Sequence, residues 1–173
     1  MTNLTPERVL NWDGCLNVRD LGGLPIDDQS QTAYGAFVRA DTLAKLTERG
    51  RAALVEAGIG TIIDLREPDE AAKDPYPFMD SKEHVPPPTY FNLPMFYLAD
   101  RSMLDGLDLP PKPTTIAEAY CAELYIFQRQ VGEIVSAIAS ENAGSVVFHC
   151  LAGKVRTGVL AALLLSIAGV PTE

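Results

Sequence analysis

The chain has 173 residues, of which 47% are hydrophobic and 21% are charged, and its formal net charge at pH 7 is −9. This composition excludes a disordered chain and predicts a single globular domain with a hydrophobic core of its own. An acidic surface repels nucleic acids and anionic membranes, so we expect neither of them as a partner through bulk charge attraction.

Cysteine and histidine are too few and too widely spaced for a disulfide framework or a metal site. The chain has three cysteines and two histidines, and we expect no metal and no cofactor. Residues 1–14 lack the apolar core of a signal peptide. The most apolar run, residues 159–170, is shorter than the roughly 20 residues that a membrane span needs. We therefore expect a cytoplasmic protein with no membrane span.

The first part of the chain alternates predicted strands with a predicted helix. We expect a short strand before Gly23, and another over residues 36–39. Thr47 can cap a helix that ends at Gly58. The β-branched run over residues 60–65 predicts a buried strand. The polar residues at its carboxyl end, where open α/β sheets place their sites, are Asp64, Arg66 and Glu67.

The middle of the chain is harder to assign. Residues 75–88 form a proline-rich loop, residues 89–95 a strand, and residues 97–113 a segment with the composition of a mobile loop. Thr115 and Glu118 then form a capping box, which opens a helix. Apolar residues recur behind it at helical spacing, which predicts one long helix to about Ala139 with this stripe in the core. The stripe consists of Ile116, Tyr120, Leu124, Phe127, Val131, Ile134 and Ile138.

An apolar strand over residues 145–149 and a helix from Arg156 to Ala168 complete the pattern. Strands that alternate with helices predict an α/β fold with a central, largely parallel sheet flanked by helices. Gly169 ends the last helix, and residues 171–173 read as the start of another. We therefore expect residues 1–173 to be one domain that is truncated at its carboxyl end.

The ten residues from His149 to Gly158 predict a site for anion chemistry. They place Cys150 and Arg156 at the two ends of a tight loop between a strand and a helix. Such a loop turns backbone amides inward and adds the positive end of the helix dipole. A phosphate dianion fits there, bidentate with the arginine, and the same field favours the thiolate form of the cysteine. The combination predicts phosphate-ester hydrolysis through a phosphocysteine.

A free cysteine is usually a small buried apolar side chain, and that is our interpretation of Cys15 and Cys121. It fits Cys150 poorly, because a structural cysteine does not need an arginine and two glycines around it. Gly153 removes a Cβ where the backbone must approach an anion, and Gly158 lets the helix pack close to the sheet.

The sequence His-Cys, five residues, Arg, Thr resembles the signature of the protein tyrosine phosphatase superfamily. Residues 17–23, Asn-Val-Arg-Asp-Leu-Gly-Gly, are similar to the opening motif of a bacterial and fungal branch that includes tyrosine and phosphoinositide phosphatases. Residues 38–43 and 62–66 also resemble this branch. The likeness runs from Asn11 to Val170. It implies a phosphatase fold and activity, with a phosphotyrosine protein or a phosphorylated small molecule or lipid as substrate.

Each residue of the loop then has an expected role. Cys150 is the nucleophile, and Arg156 binds two phosphate oxygens and stabilises the transition state. The Thr157 hydroxyl assists the sulfur as it leaves. His149 orients the loop and helps to keep the sulfur ionised. Lys154 either is solvated or, by resemblance, receives an additional phosphate. The backbone amides expected to bind phosphate are those of Leu151, Ala152, Gly153, Lys154, Val155 and Arg156.

The general acid that protonates the leaving group is the least defined role. Relatives carry Lys-Asp-Arg in the loop, where this chain has Val155 in place of the aspartate. Relatives also carry an aspartate after a Leu-Pro pair, and the first one available here is Asp100. We expect Asp100 to be the acid and Asp64 to be the next candidate, although Asp64 can simply pair with Arg66 or Arg39. Arg19 and Asp20 are expected to form a buried pair beside the loop.

Three functions remain open at this stage. The first is a tyrosine phosphatase, with phosphoinositides or small phosphoesters as alternative substrates. The second is a catalytically impaired phosphate-binding module, which the valine at position 155 favours. The third is sulfur transfer or arsenate reduction, which Gly153 and Arg156 argue against.

Overall fold

The computed structural model describes residues 7–78, 87–99, 101–140 and 144–171. A five-stranded sheet lies at its centre, in the order β1-β2-β5-β3-β4. All neighbouring strands are parallel except the first pair, β1 and β2, which is antiparallel. This confirms the predicted α/β class with a largely parallel sheet. The strands are β1 (Arg19–Asp20), β2 (Phe37–Ala40), β3 (Ile59–Asp64), β4 (Thr89–Asn92) and β5 (Ser145–His149).

Strand β5 joins the two halves of the sheet and divides the core between its faces. Val146 and Phe148 pack into one hydrophobic cluster together with side chains of the last two helices, whereas Val147 packs into the other cluster. Both clusters are buried because side chains alternate between the two faces of a strand. A strand covered on both faces is apolar throughout, which explains why this segment was predictable from composition.

Five α-helices connect or flank the strands, and two of their predicted starts are confirmed. Thr47 accepts a hydrogen bond from the amide of Gly50, and Thr115 forms the capping box with Glu118. In the described residues no helix is long and apolar enough to cross a membrane. The helices are α1 (Glu48–Glu56), α2 (Pro68–Lys73), α3 (Ile116–Ile126), α4 (Gln128–Ile138) and α5 (Val155–Ile167).

The predicted long helix from residue 116 to residue 139 is wrong, because the chain breaks it into α3 and α4 at Phe127. This residue leaves helical geometry, with φ −103° and ψ 21°. Its ring is buried and lies 5.6 Å from that of Phe96, centroid to centroid. The amide and the carbonyl of Phe127 keep their hydrogen bonds to Glu123 and Val131, so the break is a local change of backbone geometry.

The prediction that the whole apolar stripe is core is also wrong in part. Ile134 and Ile138 of α4 are buried, but Ile116 at the start of α3 is 73% exposed. The α3 half of the stripe is therefore only partly covered. The proline-rich loop falls largely on residues outside the described ranges. A short 3-10 turn, Arg101–Leu104, lies in the segment whose composition suggested a mobile loop.

Candidate active site

Cys150 directly follows the central strand, and α5 begins five residues later at Val155. Between them the chain turns sharply at Gly153, which has a φ of +63°. A Cβ on this glycine would lie 2.6 Å from the carbonyl oxygen of Ala40. Position 153 therefore requires glycine for two reasons. Its backbone is left-handed, and its Cα packs too close to β2 to leave room for a side chain.

Three consecutive carbonyl groups of the loop accept hydrogen bonds from outside it. The amide of Thr42 donates to the carbonyl of Leu151 at 3.2 Å. Asn17 Nδ2 donates to the next two carbonyls, at 3.4 Å and 3.0 Å. The C=O and N–H of a trans peptide point in opposite directions. The amides of residues 152–154 therefore face the concave side of the loop, as an anion cradle requires.

The donor Asn17 is held in turn by Asp41. Its carboxylate Oδ1 accepts the backbone amides of Leu16 and Asn17, at 2.9 Å and 3.0 Å. The same oxygen accepts the thiol of Cys15 at 2.8 Å. Burial and this carboxylate raise the pKa of Cys15, so this thiol is inert, in contrast with Cys150.

The expected buried pair of Arg19 and Asp20 does not form. Arg19 is exposed and donates to the side-chain oxygen of Asn17 at 2.6 Å. Asp20 is buried, but it accepts the backbone amides of Gly22 and Gly35 at 2.7 Å and 2.8 Å. Adjacent residues of a strand point to opposite faces of the sheet, which keeps these two side chains apart. The opening motif does contact the loop, but it does so through Asn17.

Cys150 has the environment of an activated thiol. Burial alone would raise its pKa, but the net shift is downward. The nearby hydroxyl and amide of Thr157, the amide of Gly153 and the charge of Arg156 favour the thiolate and lower the pKa of Cys150. The Thr157 hydroxyl is buried and has no hydrogen-bond partner among the described residues. The neighbouring sulfur is thus the acceptor available to it.

Arg156 projects from the first turn of α5 and forms an ion pair with Glu70 of α2. Its Nη2 lies 3.0 Å from Glu70 Oε1, and its Nη1 donates to the other carboxylate oxygen. The hydrogen bond with Arg156 lowers the pKa of Glu70, so the carboxylate stays ionised at neutral pH. This bidentate contact uses the end of the guanidinium formed by its two Nη atoms. The edge formed by Nε and Nη2 keeps donors for a phosphate.

Sequence reasoning missed Glu70. Helix α2 is short, and its Pro68 start and its Glu67–Glu70 capping box are the signals that would have located it. The partner of Glu70 lies 86 residues away in the chain. Glu70 follows β3 and Arg156 follows β5, and the two residues meet because these strands are neighbours in the sheet. The local sequence pattern does not reveal this pairing.

A buried polar network lies behind the loop, centred on Asp64. The carboxylate accepts hydrogen bonds from Arg66 at 2.7 Å and from the Tyr90 hydroxyl at 2.8 Å. Burial opposes ionisation of Asp64, but hydrogen bonds from Arg66 outweigh it, and the pKa of Asp64 is lowered. Arg66 also donates to the carbonyl of Asp74, which follows α2. Of the two partners expected for Asp64, Arg66 is the one found, and the pair holds α2 against the sheet.

His149 is buried beside this network, with Nε2 at 3.8 Å from Asp64 Oδ2 and Nδ1 at 3.4 Å from the carbonyl oxygen of Cys150. Burial lowers the pKa of His149 to about 4. The imidazole is therefore neutral at pH 7 and adds no positive charge to the site. Its contact with the Cys150 backbone is consistent with the predicted role in orienting the loop, but it does not stabilise the thiolate by charge.

The rim of the loop is partly apolar. Leu151 is 49% exposed and Val155 is 46% exposed, and Lys154 between them is exposed as well. The predicted acid, Asp100, lies outside the described residues. In the parts of the chain that the structure describes, no three His, Cys, Asp or Glu side chains are grouped to hold a metal ion.

Comparison with known proteins gives a consistent assignment. Residues 10–173 match a sequence family described as the tyrosine phosphatase family. A protein of Nostoc commune named tyrosine-protein phosphatase is 36% identical over 137 residues, which cover 79% of this chain and 44% of that protein. A protein of Mycobacterium tuberculosis named triple specificity protein phosphatase PtpB is 26% identical over 184 residues, which cover 92% of this chain and 64% of that protein. The chain thus spans less than two thirds of the length of either relative.

Proposed function

The chain belongs to the tyrosine phosphatase family, and from that premise we propose that it hydrolyses phosphate monoesters through a phosphocysteine intermediate. One observation carries the proposal. Cys150, whose pKa is lowered, lies in a loop whose amides of residues 152–154 face inward, with Arg156 at the other end. Nucleophile, amide cradle and guanidinium are the groups that in-line attack on phosphorus needs.

In the first step the Cys150 thiolate attacks phosphorus and the P–O bond to the leaving group breaks, with the electron pair going to the leaving oxygen. The equatorial oxygens receive hydrogen bonds from the loop amides and from the free edge of Arg156. In the second step water attacks phosphorus and the S–P bond breaks. The Thr157 hydroxyl, which is beside the sulfur, stabilises the departing thiolate.

The leaving oxygen needs a proton in the first step, and we propose Asp100 as its source. Asp64 is a poor candidate because it is buried and its oxygens accept hydrogen bonds from Arg66 and Tyr90. A carboxylate held by a guanidinium does not give up or take up a proton near neutral pH. In the second step the same Asp100 carboxylate would take a proton from water.

We propose phosphotyrosine as the preferred substrate. The exposed apolar side chains of Leu151 and Val155 on the rim suit an aromatic ring. Phosphoinositides or small phosphoesters are the alternative, supported by the exposed position of Lys154, where a second phosphate of the substrate would find a cation. Phosphate release from phosphotyrosine peptides, compared with release from inositol lipids in the same buffer, separates the two classes.

The second candidate is a phosphate-binding module with little turnover, which Val155 favours because this loop position holds no acidic group. The two candidates differ in their rate with p-nitrophenyl phosphate, whose leaving group needs little protonation. We expect hydrolysis by the wild-type chain and none by Cys150→Ser. A folded wild-type chain that binds vanadate without hydrolysing this ester would establish the binding module instead.

We also propose that the chain works in a reducing compartment such as the cytoplasm, because a thiolate nucleophile is lost on oxidation. The proposed reaction uses groups from one sheet and its flanking helices. This supports residues 1–173 acting as one catalytic domain.

A further inference from the structure

The positive charge that faces the Cys150 sulfur is not supplied by Arg156 alone. Glu70 neutralises Arg156 through a bidentate contact in which both carboxylate oxygens take part. The net charge of that pair is close to zero. A second cation near the buried sulfur would add to the stabilisation of the thiolate by the loop amides, Thr157 and Arg156.

Arg39 on β2 is that second cation. Strand β2 runs parallel to β5, with Arg39 in register with Phe148 and Ala40 in register with His149, so Arg39 lies next to the end of the strand that carries Cys150. Its Nη2 donates to the carbonyl of Gly153 at 2.6 Å. The amide of this same glycine is close enough to the sulfur to help lower the pKa of Cys150.

No anion of the described chain neutralises Arg39. No described carboxylate lies within ion-pair distance of its guanidinium. Its Nε is buried and has no hydrogen-bond partner among the described residues. Arg39 is half-buried, and a buried Nε donor without a partner or a carboxylate favours a negative charge close by.

We infer that Arg39 is a positioning residue that keeps Cys150 ionised, acting with its positive charge from behind the phosphate loop. This inference rests on the proposed function, because it gives Cys150 the role of nucleophile. It assigns Arg39 two separable actions, a hydrogen bond that fixes the turn at Gly153 and a charge that stabilises the thiolate.

The electrostatic environment of Arg39 agrees with this role. Burial and the nearby Arg19 lower the pKa of Arg39, and the Cys150 thiolate is the group that raises it. The charged or titratable groups that surround the site from the packed elements are Arg19 (β1), Arg39 (β2), Asp41 (after β2), Asp64 (β3), Arg66 (after β3), Glu67 (before α2), Glu70 (α2), His149 (β5) and Arg156 (α5).

The test is the rate of Cys150 alkylation by iodoacetamide as a function of pH, measured in the intact chain. Arg39→Gln keeps a hydrogen-bond donor but removes the charge, and we expect it to raise the thiol pKa by about one unit. Alkylation well below that pKa then slows about tenfold. Arg39→Lys keeps the charge and should restore most of the rate. If the role of Arg39 were purely structural, Cys150 in Arg39→Lys would be alkylated as slowly as in Arg39→Gln.

Arg49→Gln is the control, because Arg49 is an exposed arginine of α1 and no described hydrogen bond or ion pair joins it to the loop. Water screens an exposed charge, so we expect a much smaller change in the alkylation profile. An unchanged profile in folded Arg39→Gln, or equal changes in the two Gln variants, would overturn the inference.

A measurement on the wild-type chain covers the case in which Arg39→Gln does not fold. The ¹⁵Nε resonance of Arg39 should titrate with the midpoint of the thiol and should lose this titration in Cys150→Ser. An Arg39 ¹⁵Nε resonance that does not shift as the Cys150 thiol titrates would contradict the inference. A wild-type thiol that titrates at the ordinary value of about 8.5 would instead contradict the proposed function, so the two failures are distinguishable.

Discussion

Arg156 contacts a carboxylate with one end of its guanidinium and is free to bind phosphate with another edge. Glu70 therefore fixes the rotamer of an arginine that must meet an oxyanion in one orientation. Arginine suits this task because its donors form a planar, rigid fork.

Glu70→Gln tests this role. The variant keeps the side-chain shape but removes the charge. Its NH2 group replaces one carboxylate oxygen, so it can accept only one of the two hydrogen bonds from Arg156. We expect kcat/KM for p-nitrophenyl phosphate to fall by about 10- to 100-fold, because small misplacements of a binding group are costly. Asp69→Asn, on the exposed side of the same helix, is the control and should keep its rate. Unchanged kinetics in Glu70→Gln would show that Arg156 is oriented by other contacts.

Val155 permits a second test of a single residue. It stands at the first position of α5 and is 46% exposed, so Val155→Asp removes little buried apolar area and adds a carboxylate that favours a helix start. We expect kcat for esters with poor leaving groups to rise about tenfold or more, since general acids contribute at least this much. The ester p-nitrophenyl phosphate should change far less.

Val155→Asn separates proton donation from polarity at this position. It should leave kcat for poor leaving groups at the wild-type value. If Val155→Asp did not raise kcat for esters with poor leaving groups, the valine at position 155 would not be what limits protonation of the leaving group.

At the scale of elements, the loop between β5 and α5 depends on a single turn. Gly153→Ala places a Cβ in a left-handed residue and against the backbone of β2. We expect the loop to distort, vanadate binding to be lost and Tm to drop. Gly58→Ala is the matched control, because its φ is +73° but nothing lies within 4 Å of the added Cβ.

The control should lose about 1–2 kcal/mol of stability and retain vanadate binding. Equal stability losses in the two variants, with vanadate binding intact in both, would show that the close contact between Gly153 and β2 is not required for anion binding.

Elements differed in how far the sequence determined them. Strand β5 was predictable because a strand covered on both faces is apolar along its length, and helix α5 because it is mostly apolar and is closely followed by Gly169. The break at Phe127 was not predictable, because the apolar pattern with a period of 3.6 residues continues across two consecutive helices that pack against the same core. Helix α2 was too short for its period to be visible.

The site followed the same division. Cys150, Gly153, Arg156 and Thr157 lie within eight consecutive residues and could be predicted from the local pattern. Glu70 and the contacts of Asn17 depend on which strands become neighbours. Sequence separation hides such pairs, since no local rule gives the order of strands in a sheet.

For the whole molecule, the buried polar network makes stability depend on pH. His149 has a pKa lowered to about 4 by burial, whereas the unfolded chain takes up this proton near its ordinary value of 6.5. The stabilising contribution is therefore complete above pH 6.5 and is lost as the pH falls toward 4. The lowered pKa of Asp64 acts in the same direction at still lower pH.

We expect Tm to fall measurably between pH 6.5 and pH 4, and this fall to be smaller in His149→Asn. Thermal unfolding by circular dichroism at half-unit pH steps measures both. A histidine variant with the same slope as the wild type would assign the pH dependence to other groups.

The position of β5 also makes the environment of Cys150 depend on the assembly of the sheet. Before residues 145–149 join, the sheet consists of two unconnected pairs, β1 with β2 and β3 with β4. Insertion of this one strand closes the sheet and, in the same event, carries Cys150 to Asn17, Arg39 and Thr42. A chain in which residues 145–149 have not joined the sheet would therefore carry an ordinary thiol at position 150.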